Sequence, residues 1–426
     1  MPDSRPTGYA TPRQLFAWAS FDWAATPFFV VVITFIFASY FTQAVAADPV
    51  RGTAQWGWAM TCAAIVIGVA SPVFGAIADA GGRRKPWLFT FVLLAAAGMA
   101  ALWEIQPHAE HVLYALILVV VADVASEVAQ TFYNAMLPEL SPPEQVGRWS
   151  GTGWGLGYIA GIVALLILLF GFVQRDPPLF GLDTATAEHI RIAGPICAVW
   201  LLVFSLPLFF VVPDKKSAGL PPVAAAKQGL RALAKTFRDV RSHANLFKFL
   251  LARMIYQDGL NTLFAFGGVY AAGTFGMDTA EVIMFGITLN LTAGLGAFAF
   301  SAIDDRIGSK KTILIALVGL LVCGTIALLA TDKTVFWIVG GLLGIFVGPA
   351  GSASRTMMAR LAPPEQRAEM FGLFALTGKV TAFIGPFLFG TATWLFDTQR
   401  AGMAMILVLF IVGGLLLTRV AEPQRT

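Results

Sequence analysis

The sequence predicts an all-helical (all-α) membrane protein with twelve transmembrane helices in two six-helix bundles. Of its 426 residues, 57% are hydrophobic and only 13% are charged. A soluble domain has about 25% charged residues, so this chain has too little polar surface for a water-soluble protein. Apolar runs of about 20 residues, long enough to cross the hydrocarbon core as a helix, recur along the chain. Two loops of the first half also recur in the second half.

The apolar runs are separated by charged or Pro/Gly-rich breaks, and we number them spans 1 to 12. They cover residues 15–42, 54–78, 87–104, 112–134, 149–173, 191–212, 246–273, 282–303, 312–331, 335–358, 369–393 and 402–420. Runs such as Val112–Ala122 are apolar on every face, which predicts helices and excludes the alternating pattern of a β-barrel. Residues 1–13 resemble the start of a signal peptide, but the apolar run after them is too long, so span 1 is expected to stay uncleaved.

Lysine and arginine are concentrated on one side of the predicted membrane. The termini and the even-to-odd loops hold 21 of the 29 basic residues, whereas the opposite loops hold five. This bias predicts a multi-pass protein of the inner (plasma) membrane with both termini in the cytoplasm. The loop between spans 6 and 7, residues 213–245, is predicted to be a linker with a basic amphipathic helix that rests on anionic lipids. A regulatory or partner-docking role for this loop is the alternative.

Two loops repeat at nearly one offset. Residues 75–85 (GAIADAGGRRK) correspond to residues 301–311 (SAIDDRIGSKK) at an offset of 226, and residues 140–151 share the run PPEQ with residues 361–372 at an offset of 221. This predicts a duplicated six-helix unit, with an N-terminal bundle over 1–212 and a C-terminal bundle over 246–426. Because each half has an even number of spans, the copies are expected to share one topology.

The charged loop between spans 2 and 3, with its repeat between spans 8 and 9, resembles the signature of the major facilitator superfamily, whose twelve-span fold matches the whole chain. Ser20–Phe28 (SFDWAATPF), residues 132–158 and Tyr256–Thr262 (YQDGLNT) are similar to the vacuolar-effluxer-like branch, although Thr26 and Pro27 depart from it. The resemblance implies transport by rocking of the two halves about a pathway lined by spans 1, 4, 7 and 10. A fungal member of this branch exports amino acids from the vacuole.

Ionisable residues inside the spans carry the main functional signal, because a charge at mid-bilayer costs at least about 2.5–3.5 kcal/mol and must face a cavity or a partner. They are Asp22 in span 1, Asp123 and Glu127 in span 4, Arg253 and Asp258 in span 7, Arg355 in span 10 and Lys379 in span 11. The resemblance places most of them on the pathway, where we expect them to bind the solute or the coupling ion. Further expected contacts are Trp23, Tyr133, Asn134, Tyr256, Gln257, Asn261 and Asn290.

Asp123 and Glu127 are four residues apart and therefore share one helix face. Two carboxylates in a low dielectric repel each other, which favours proton binding by one of them. The pair is thus a candidate proton carrier. The alternative is a buried ion pair with Arg355 or Lys379 that only locks helices together.

Asp22 and Asp258 lie at similar depth in corresponding spans, which suggests a pseudo-symmetric pair of carboxylates. Arg253 stands about two turns inside span 7 and could instead reach the cytoplasmic surface. Arg355 lies near the end of span 10, where a cation also gains from the helix dipole.

Asp79, at the end of span 2, is predicted to pair with the other bundle only when the cytoplasmic side is closed, and so to favour the outward-open state. The alternative for the neighbouring cations is that they only obey the positive-inside rule. The other candidate gating residues are Arg83, Arg84, Arg148, Asp305 and Arg306. Closely spaced glycines over residues 147–161 predict tight packing of span 5 against a helix of the other half.

The sequence contains no nucleotide-binding loop, no metal-ligand set and no catalytic set, so we expect no enzyme activity, no metal and no cofactor. It predicts a secondary transporter of a small polar or zwitterionic solute, with an amino acid or short peptide as the best candidate. Protons, or sodium as the alternative, are the expected coupling ion. We expect a monomer with no nucleic-acid partner. The competing functions are an exporter of amphipathic compounds or drugs, and a non-transporting receptor or scaffold.

Overall fold

The structure is a computed structural model that describes residues 9–81, 83–142, 146–214, 224, 227, 244–361, 374, 377–378 and 380–422. Within these ranges the side chains of residues 72, 75–81, 138, 146–148, 150–151, 298, 301–302, 305 and 359 lie outside the description. Every regular element in the described part of the chain is helical. Most of the linker 213–245, with its predicted amphipathic helix, lies outside the described residues, so that helix stays a prediction.

The helices of the first half occupy the positions of spans 1 to 6. Span 1 comprises Pro12–Pro27, a π-helical stretch Phe28–Phe35, a short helix Phe37–Tyr40 and a second π-helical stretch Phe41–Val45. The others are Pro49–Gly81, Lys85–Ala101, Val112–Leu140, Val146–Leu168 with a π-helical end Leu169–Val173, and Ala193–Val211 after a short helix Glu188–Arg191.

The second half contains the helices of spans 7 to 12. They are Ala244–Phe275, Thr279–Ile307, Ser309–Leu329, Lys333–Leu361, Ile384–Phe396 and Gln399–Thr418. Ten helices in the described residues are long and apolar enough to cross a membrane. At the other two predicted positions, the span 7 helix carries Lys248, Arg253 and Asp258 in its first half, and the described helix of span 11 has 13 residues. The all-helical membrane fold is confirmed.

The chain packs as two compact units, one formed by Met1–Ile33 with Val69–Ala232 and the other by Thr34–Gly68 with Leu233–Thr426. We call them the N-terminal and C-terminal units. Two of their three borders fall inside spans 1 and 2, and the third falls in the linker 213–245. The predicted bundles, 1–212 and 246–426, instead follow the sequence repeat. The first border lies at the π-helical stretch Phe28–Phe35 of span 1.

Several helix pairs pack in both units, as expected of a duplicated structure. In the N-terminal unit, span 1 packs on spans 5 and 6, and span 3 packs on spans 4 and 6. In the C-terminal unit, span 7 packs on spans 11 and 12, and span 9 packs on spans 10 and 12. These pairs correspond to each other six spans apart, which supports the duplication inferred from the loops.

Local sequence explains where several helices begin. Span 1 starts with a capping box in which Thr11 Oγ1 accepts from the Gln14 amide and Gln14 Oε1 accepts from the Thr11 amide at 2.8 Å, with Pro12 in the first turn. Span 8 starts with a second capping box between Asp278 and Glu281. It ends at Gly308, whose φ of +94° is the left-handed conformation that glycine adopts without strain.

Pro27 disturbs span 1 because it has no amide hydrogen for the carbonyl oxygen of Trp23, four residues earlier. The indole Nε1 of Trp200 donates to that oxygen instead, at 2.9 Å. The two tryptophan rings stack with centroids 5.7 Å apart. Span 6 therefore supplies the hydrogen bond that the proline removes, and the π-helical stretch begins at the next residue.

Candidate functional site: a buried carboxylate in each unit

Asp22 of span 1 is buried in the N-terminal unit, with 8% of its surface exposed. Both carboxylate oxygens accept hydrogen bonds from side chains of span 4. The Tyr133 hydroxyl donates to Oδ2 at 2.8 Å, and the Gln130 amide donates to Oδ1 at 3.0 Å. Among the described residues no cation lies within ion-pair distance of Asp22. The carboxylate is thus held by neutral donors.

The Tyr133 hydroxyl is fixed by aromatic packing. Trp18 stacks on the Tyr133 ring with centroids 4.4 Å apart, and its indole Nε1 donates to the Tyr133 carbonyl oxygen at 3.1 Å. Phe21 packs on the same ring at 4.8 Å. Because all three rings are almost fully buried, the donor cannot readily turn away from Asp22.

Span 5 approaches Asp22 closely because it presents glycines. A Cβ atom added to Gly153 would overlap Asp22 Oδ2, and one added to Gly157 would come within 2.5 Å of Thr26 Oγ1. Gly161 lies in the same way against Val30. The expectation that these glycines pack against the other half is therefore wrong for these three, which face span 1 of their own half. Glycine spacing indicates a close approach but does not name the partner helix.

Asp258 of span 7 occupies the related place in the C-terminal unit and is 2% exposed. Its Oδ2 accepts from the backbone amide of Gly385 at 2.8 Å, in the first turn of the helix Ile384–Phe396. The positive end of a helix dipole stabilises a carboxylate at this position. Oδ1 of Asp258 is buried and has no hydrogen-bond partner in the described part of the protein.

The two carboxylates belong to one repeated motif. Asp22, Thr26 and Phe28 correspond to Asp258, Thr262 and Phe264 as D-x3-T-x-F. In both copies the threonine Oγ1 donates to the aspartate carbonyl oxygen at 2.8 Å. In both copies the threonine also faces a glycine, Gly157 in span 5 and Gly385 in span 11, where an added Cβ would overlap its Oγ1. Sequence reasoning missed this motif, although the matching D-x3-T-x-F spacing is visible in the sequence.

The other acidic candidates, Asp123 and Glu127, are half-buried on span 4, and each interacts with a neighbouring group. The Thr131 hydroxyl donates to the Glu127 carbonyl oxygen at 3.0 Å. Asn134, on the same helix, is exposed. Trp23 is half-buried and contacts span 6 through its rings and its carbonyl oxygen.

Arg253 is buried in span 7 rather than extended to the surface, with 8% exposure. Its Nη1 donates to the Phe374 carbonyl oxygen at 2.8 Å and to Thr377 Oγ1 at 3.2 Å. Arg355 of span 10 is exposed. Lys379 lies outside the described residues.

The polar candidates on spans 7 and 8 make mostly local hydrogen bonds. The Gln257 amide donates to Asn261 Oδ1 at 3.0 Å, and the Asn290 amide donates to the Gly286 carbonyl oxygen at 2.8 Å. Tyr256 connects two spans, because its hydroxyl lies 2.7 Å from Ser354 Oγ on span 10.

At the predicted gate of the N-terminal unit, Arg84 is buried and forms a bidentate pair with Glu139 at the end of span 4, at 2.9 and 3.0 Å. Its backbone amide donates to Asp214 Oδ1 at 3.1 Å. Sequence reasoning missed Glu139. Arg84 therefore ties the loop after span 2 to spans 4 and 6 of its own unit.

For the other gating candidates the structure shows no side-chain hydrogen bond or ion pair among the described residues. Arg83 and Arg306 are exposed. The side chains of Asp79, Arg148 and Asp305 lie outside the description. Next to Asp305, Asp304 is buried and lies 3.9 Å from Arg360 of span 10.

An all-helical membrane fold built from two repeated units, with charged residues held inside the spans, is that of a major facilitator-type transporter. The sequence model of the vacuole effluxer Atg22-like family matches residues 58–425, and the chain belongs to this family. The family is described as vacuole effluxers, and the solved proteins reported below are transporters.

Relatives agree with this assignment. The chain is 24% identical over 417 residues to the uncharacterized MFS-type transporter YxiO of Bacillus subtilis, covering 97% of this chain and 96% of that protein. It is 27% identical over 298 residues to autophagy-related protein 22 of Cryptococcus neoformans, covering 65% of this chain and 53% of that protein. The chain thus spans about half the length of this fungal relative.

Solved transporters share the fold. A bacterial homologue of the human lysosomal transporter Spinster, in an inward-facing and unoccupied conformation, superposes with a TM-score of 0.69 at 14% identity over 96% of this chain and 97% of that one. A D-xylose–proton symporter superposes with a TM-score of 0.67 at 14% identity over 96% of both chains. At this identity the likeness concerns the fold alone.

Proposed function

We propose that this protein is a proton-coupled secondary transporter that moves a small polar or zwitterionic solute, such as an amino acid or short peptide, by alternating access. We further propose that it lies in the plasma membrane with both termini in the cytoplasm. The observation that carries the coupling proposal is the pair Asp22 and Asp258, one buried carboxylate in each unit, held by neutral donors.

This arrangement suits a proton carrier better than a structural ion pair. When a carboxylate in the bilayer is paired with a cation, the cation balances its charge, so the carboxylate stays ionised. A buried carboxyl group without a cation becomes neutral by binding a proton, and charged again when water or another charge reaches it. The donors from Tyr133, Gln130 and the Gly385 amide stabilise the charged form between these events. Reversible proton binding needs both states to be accessible.

Relatives support the class of function. The Bacillus relative is named an MFS-type transporter, and the family is described as vacuole effluxers. The D-xylose–proton symporter shows that this fold supports proton coupling in another protein. The buried acids and the basic Arg253 and Arg355 suit a solute that bears both charges, which favours the amino-acid class over the drug-exporter and scaffold alternatives.

The test uses the purified full chain in proteoliposomes that contain a pH-sensitive dye. Addition of a mixture of the protein amino acids should move protons across the membrane in wild type. Asp22→Asn and Asp258→Asn each preserve the side-chain shape and remove the ionisable group, so each should abolish the dye response. Glu110→Gln, which changes an exposed loop carboxylate, should leave it intact.

An unchanged response in both aspartate variants would refute the role of these carboxylates. If amino-acid flux proceeds without any proton movement, varying sodium at fixed pH shows whether sodium is the coupling ion instead.

A further inference from the structure

A groove of about 690 Å³ lies at one end of spans 8, 9 and 12 in the C-terminal unit. This is the end that the distribution of lysine and arginine assigns to the cytoplasm. The volume falls in the range of about 300–1,000 Å³ that is typical of sites for small molecules. The groove is lined by Arg306, Ile307, Lys311, Leu314, Ile315 and Glu422. It thus combines two cations and one carboxylate with three apolar side chains.

The three charged side chains of the groove make no contact with each other. Arg306 and Lys311 are exposed, and Glu422 is half-buried. Within the described part of the chain, none of the three forms an ion pair or a side-chain hydrogen bond. Charges of both signs that line one groove separately suit a ligand that also carries both charges.

Hydrogen bonds to the backbone fix the position of the carboxylate. The Lys310 ammonium donates to the Thr418 carbonyl oxygen at 2.9 Å, which joins the start of span 9 to the end of span 12. The Asn245 amide donates to the Ala421 carbonyl oxygen at 2.9 Å, and its Oδ1 accepts from the Ala421 amide at 2.7 Å. Glu422 follows directly, so the chain that carries its carboxylate is held at span 7 and at span 9.

The groove continues into an apolar stripe on span 9. Ile315, Val318, Val322 and Ile326 recur every three or four residues and are 44–57% exposed. Large apolar side chains that form such a stripe on a membrane span face acyl chains, because exposure to water is unfavourable. From Ile315 to Ile326 the helix rises about 16 Å, close to half of the hydrocarbon core of about 30 Å. The stripe therefore has the length of a lipid chain in one leaflet.

We propose that the groove binds the headgroup of a phosphatidylethanolamine molecule whose acyl chain lies along the stripe. Arg306 and Lys311 donate to the lipid phosphate, for which a guanidinium and an ammonium are suitable donors. The Glu422 carboxylate accepts from the ethanolamine ammonium, which has three N–H donors like that of lysine. The same carboxylate disfavours a purely anionic headgroup, which has no group to balance it.

The competing explanation is that Arg306 and Lys311 only obey the positive-inside rule. It predicts no preference between two lipids of equal net charge. The proposal goes beyond the proposed function, because it depends on the membrane fold and not on the transported solute or the coupling ion.

The experiment measures how much a lipid raises the Tm of the purified full chain in detergent. The probe is phosphatidylethanolamine, and its matched control is phosphatidylcholine with the same acyl chains, whose amine has the same charge but no N–H donor. Phosphatidylethanolamine should give the larger rise, because a ligand that binds the folded state stabilises it. Phosphatidylglycerol with the same chains should give a smaller rise. Soluble phosphoethanolamine at equal concentration should give none, since it has no chain for the stripe.

Substitutions in the groove separate the two parts of the headgroup. Glu422→Gln should make the rises with phosphatidylethanolamine and phosphatidylcholine equal, because it removes the partner of the ammonium. Arg306→Gln and Lys311→Gln should each reduce the rise with phosphatidylethanolamine. Arg419→Gln is the matched control, since Arg419 is an exposed cation at the end of span 12 that does not line the groove. It should keep the full preference. Each rise is measured within one variant, so a general loss of stability does not imitate these results.

The proposal is overturned if phosphatidylethanolamine raises the Tm of wild type no more than phosphatidylcholine does. It is also overturned if phosphatidylglycerol or soluble phosphoethanolamine is equally effective, or if the preference survives in Glu422→Gln. Loss of the preference in Arg419→Gln would place the lipid elsewhere and would equally overturn it. If Glu422→Gln does not fold, Arg306→Gln and Lys311→Gln decide, because an undiminished rise in both variants contradicts the proposal.

Discussion

Gly153→Ala tests whether the approach of span 5 sets the position of the Asp22 carboxylate. The added Cβ would lie closer than 3.0 Å to Asp22 Oδ2, a separation that real Cβ atoms do not adopt, and 3.1 Å from the Tyr133 hydroxyl oxygen. To restore van der Waals contact the carboxylate has to retreat by about 1 Å. That displacement breaks the hydrogen bond of 2.8 Å from Tyr133.

The magnitude follows from the broken hydrogen bond and the stiffer backbone. A hydrogen bond to a charged group contributes about 1.5–3 kcal/mol. Replacing glycine with alanine inside a helix stabilises the folded state by about 0.5–1 kcal/mol, because alanine loses less backbone entropy on folding. We therefore expect Gly153→Ala to lower the free energy of unfolding by about 1–2 kcal/mol and to abolish the proton response of the proteoliposomes.

The neighbouring Gly155 gives a matched control, because nothing lies within 4 Å of a Cβ added there. Gly155→Ala should keep the transport response and should raise the unfolding free energy slightly. Thermal unfolding in detergent and the dye assay are measured on both variants. Equal behaviour of the two alanine variants would refute the argument, since they differ in nothing but the surroundings of the added carbon.

The remaining predictions concern single contacts. Tyr133→Phe removes the hydroxyl donor to Asp22 and should weaken proton-driven transport, whereas Tyr114→Phe, at an exposed position, should not; equal dye responses would contradict this. Glu139→Gln leaves the buried Arg84 guanidinium without this carboxylate and should lower the free energy of unfolding by about 3 kcal/mol. Arg84→Gln should lower it less, because the remaining Glu139 carboxylate is 37% exposed and can be hydrated. A larger loss in Arg84→Gln, measured by thermal unfolding, would contradict this account. Gly385→Ala should displace Thr262 and abolish the dye response, whereas Gly294→Ala, with no atom within 4 Å of the added Cβ, should have no effect; retained transport in Gly385→Ala would show that this approach is not needed.

The spans could be predicted because the bilayer requires long apolar helices with their backbone hydrogen bonds satisfied internally. The placement of Asp22 and Asp258 in corresponding spans also followed from the sequence. The sequence named Tyr133 as a candidate contact but did not predict that Tyr133 and Gln130 donate to Asp22, since both lie on a helix more than 100 residues away in the chain. The partner of a side chain depends on how helices rotate and pack, which apolar runs do not specify.

The contacts of charged loop residues were also not predictable from the sequence. The cations Arg83 and Arg84 predict a cytoplasmic loop by the positive-inside rule. That rule does not predict the buried ion pair between Arg84 and Glu139. The division of spans 1 and 2 between two compact units was also invisible, because it arises from tertiary contacts within continuous helices.

The most direct test compares exchange with accumulation in Asp22→Asn and Asp258→Asn, using the radiolabelled amino acid that gives the largest dye response in wild type. Exchange of labelled for unlabelled solute needs only the movement of loaded carrier, whereas accumulation needs energy from the proton gradient. We expect both variants to keep exchange and to lose gradient-driven accumulation. Accumulation at the wild-type level in both variants would contradict the claim that these buried carboxylates couple protons to transport.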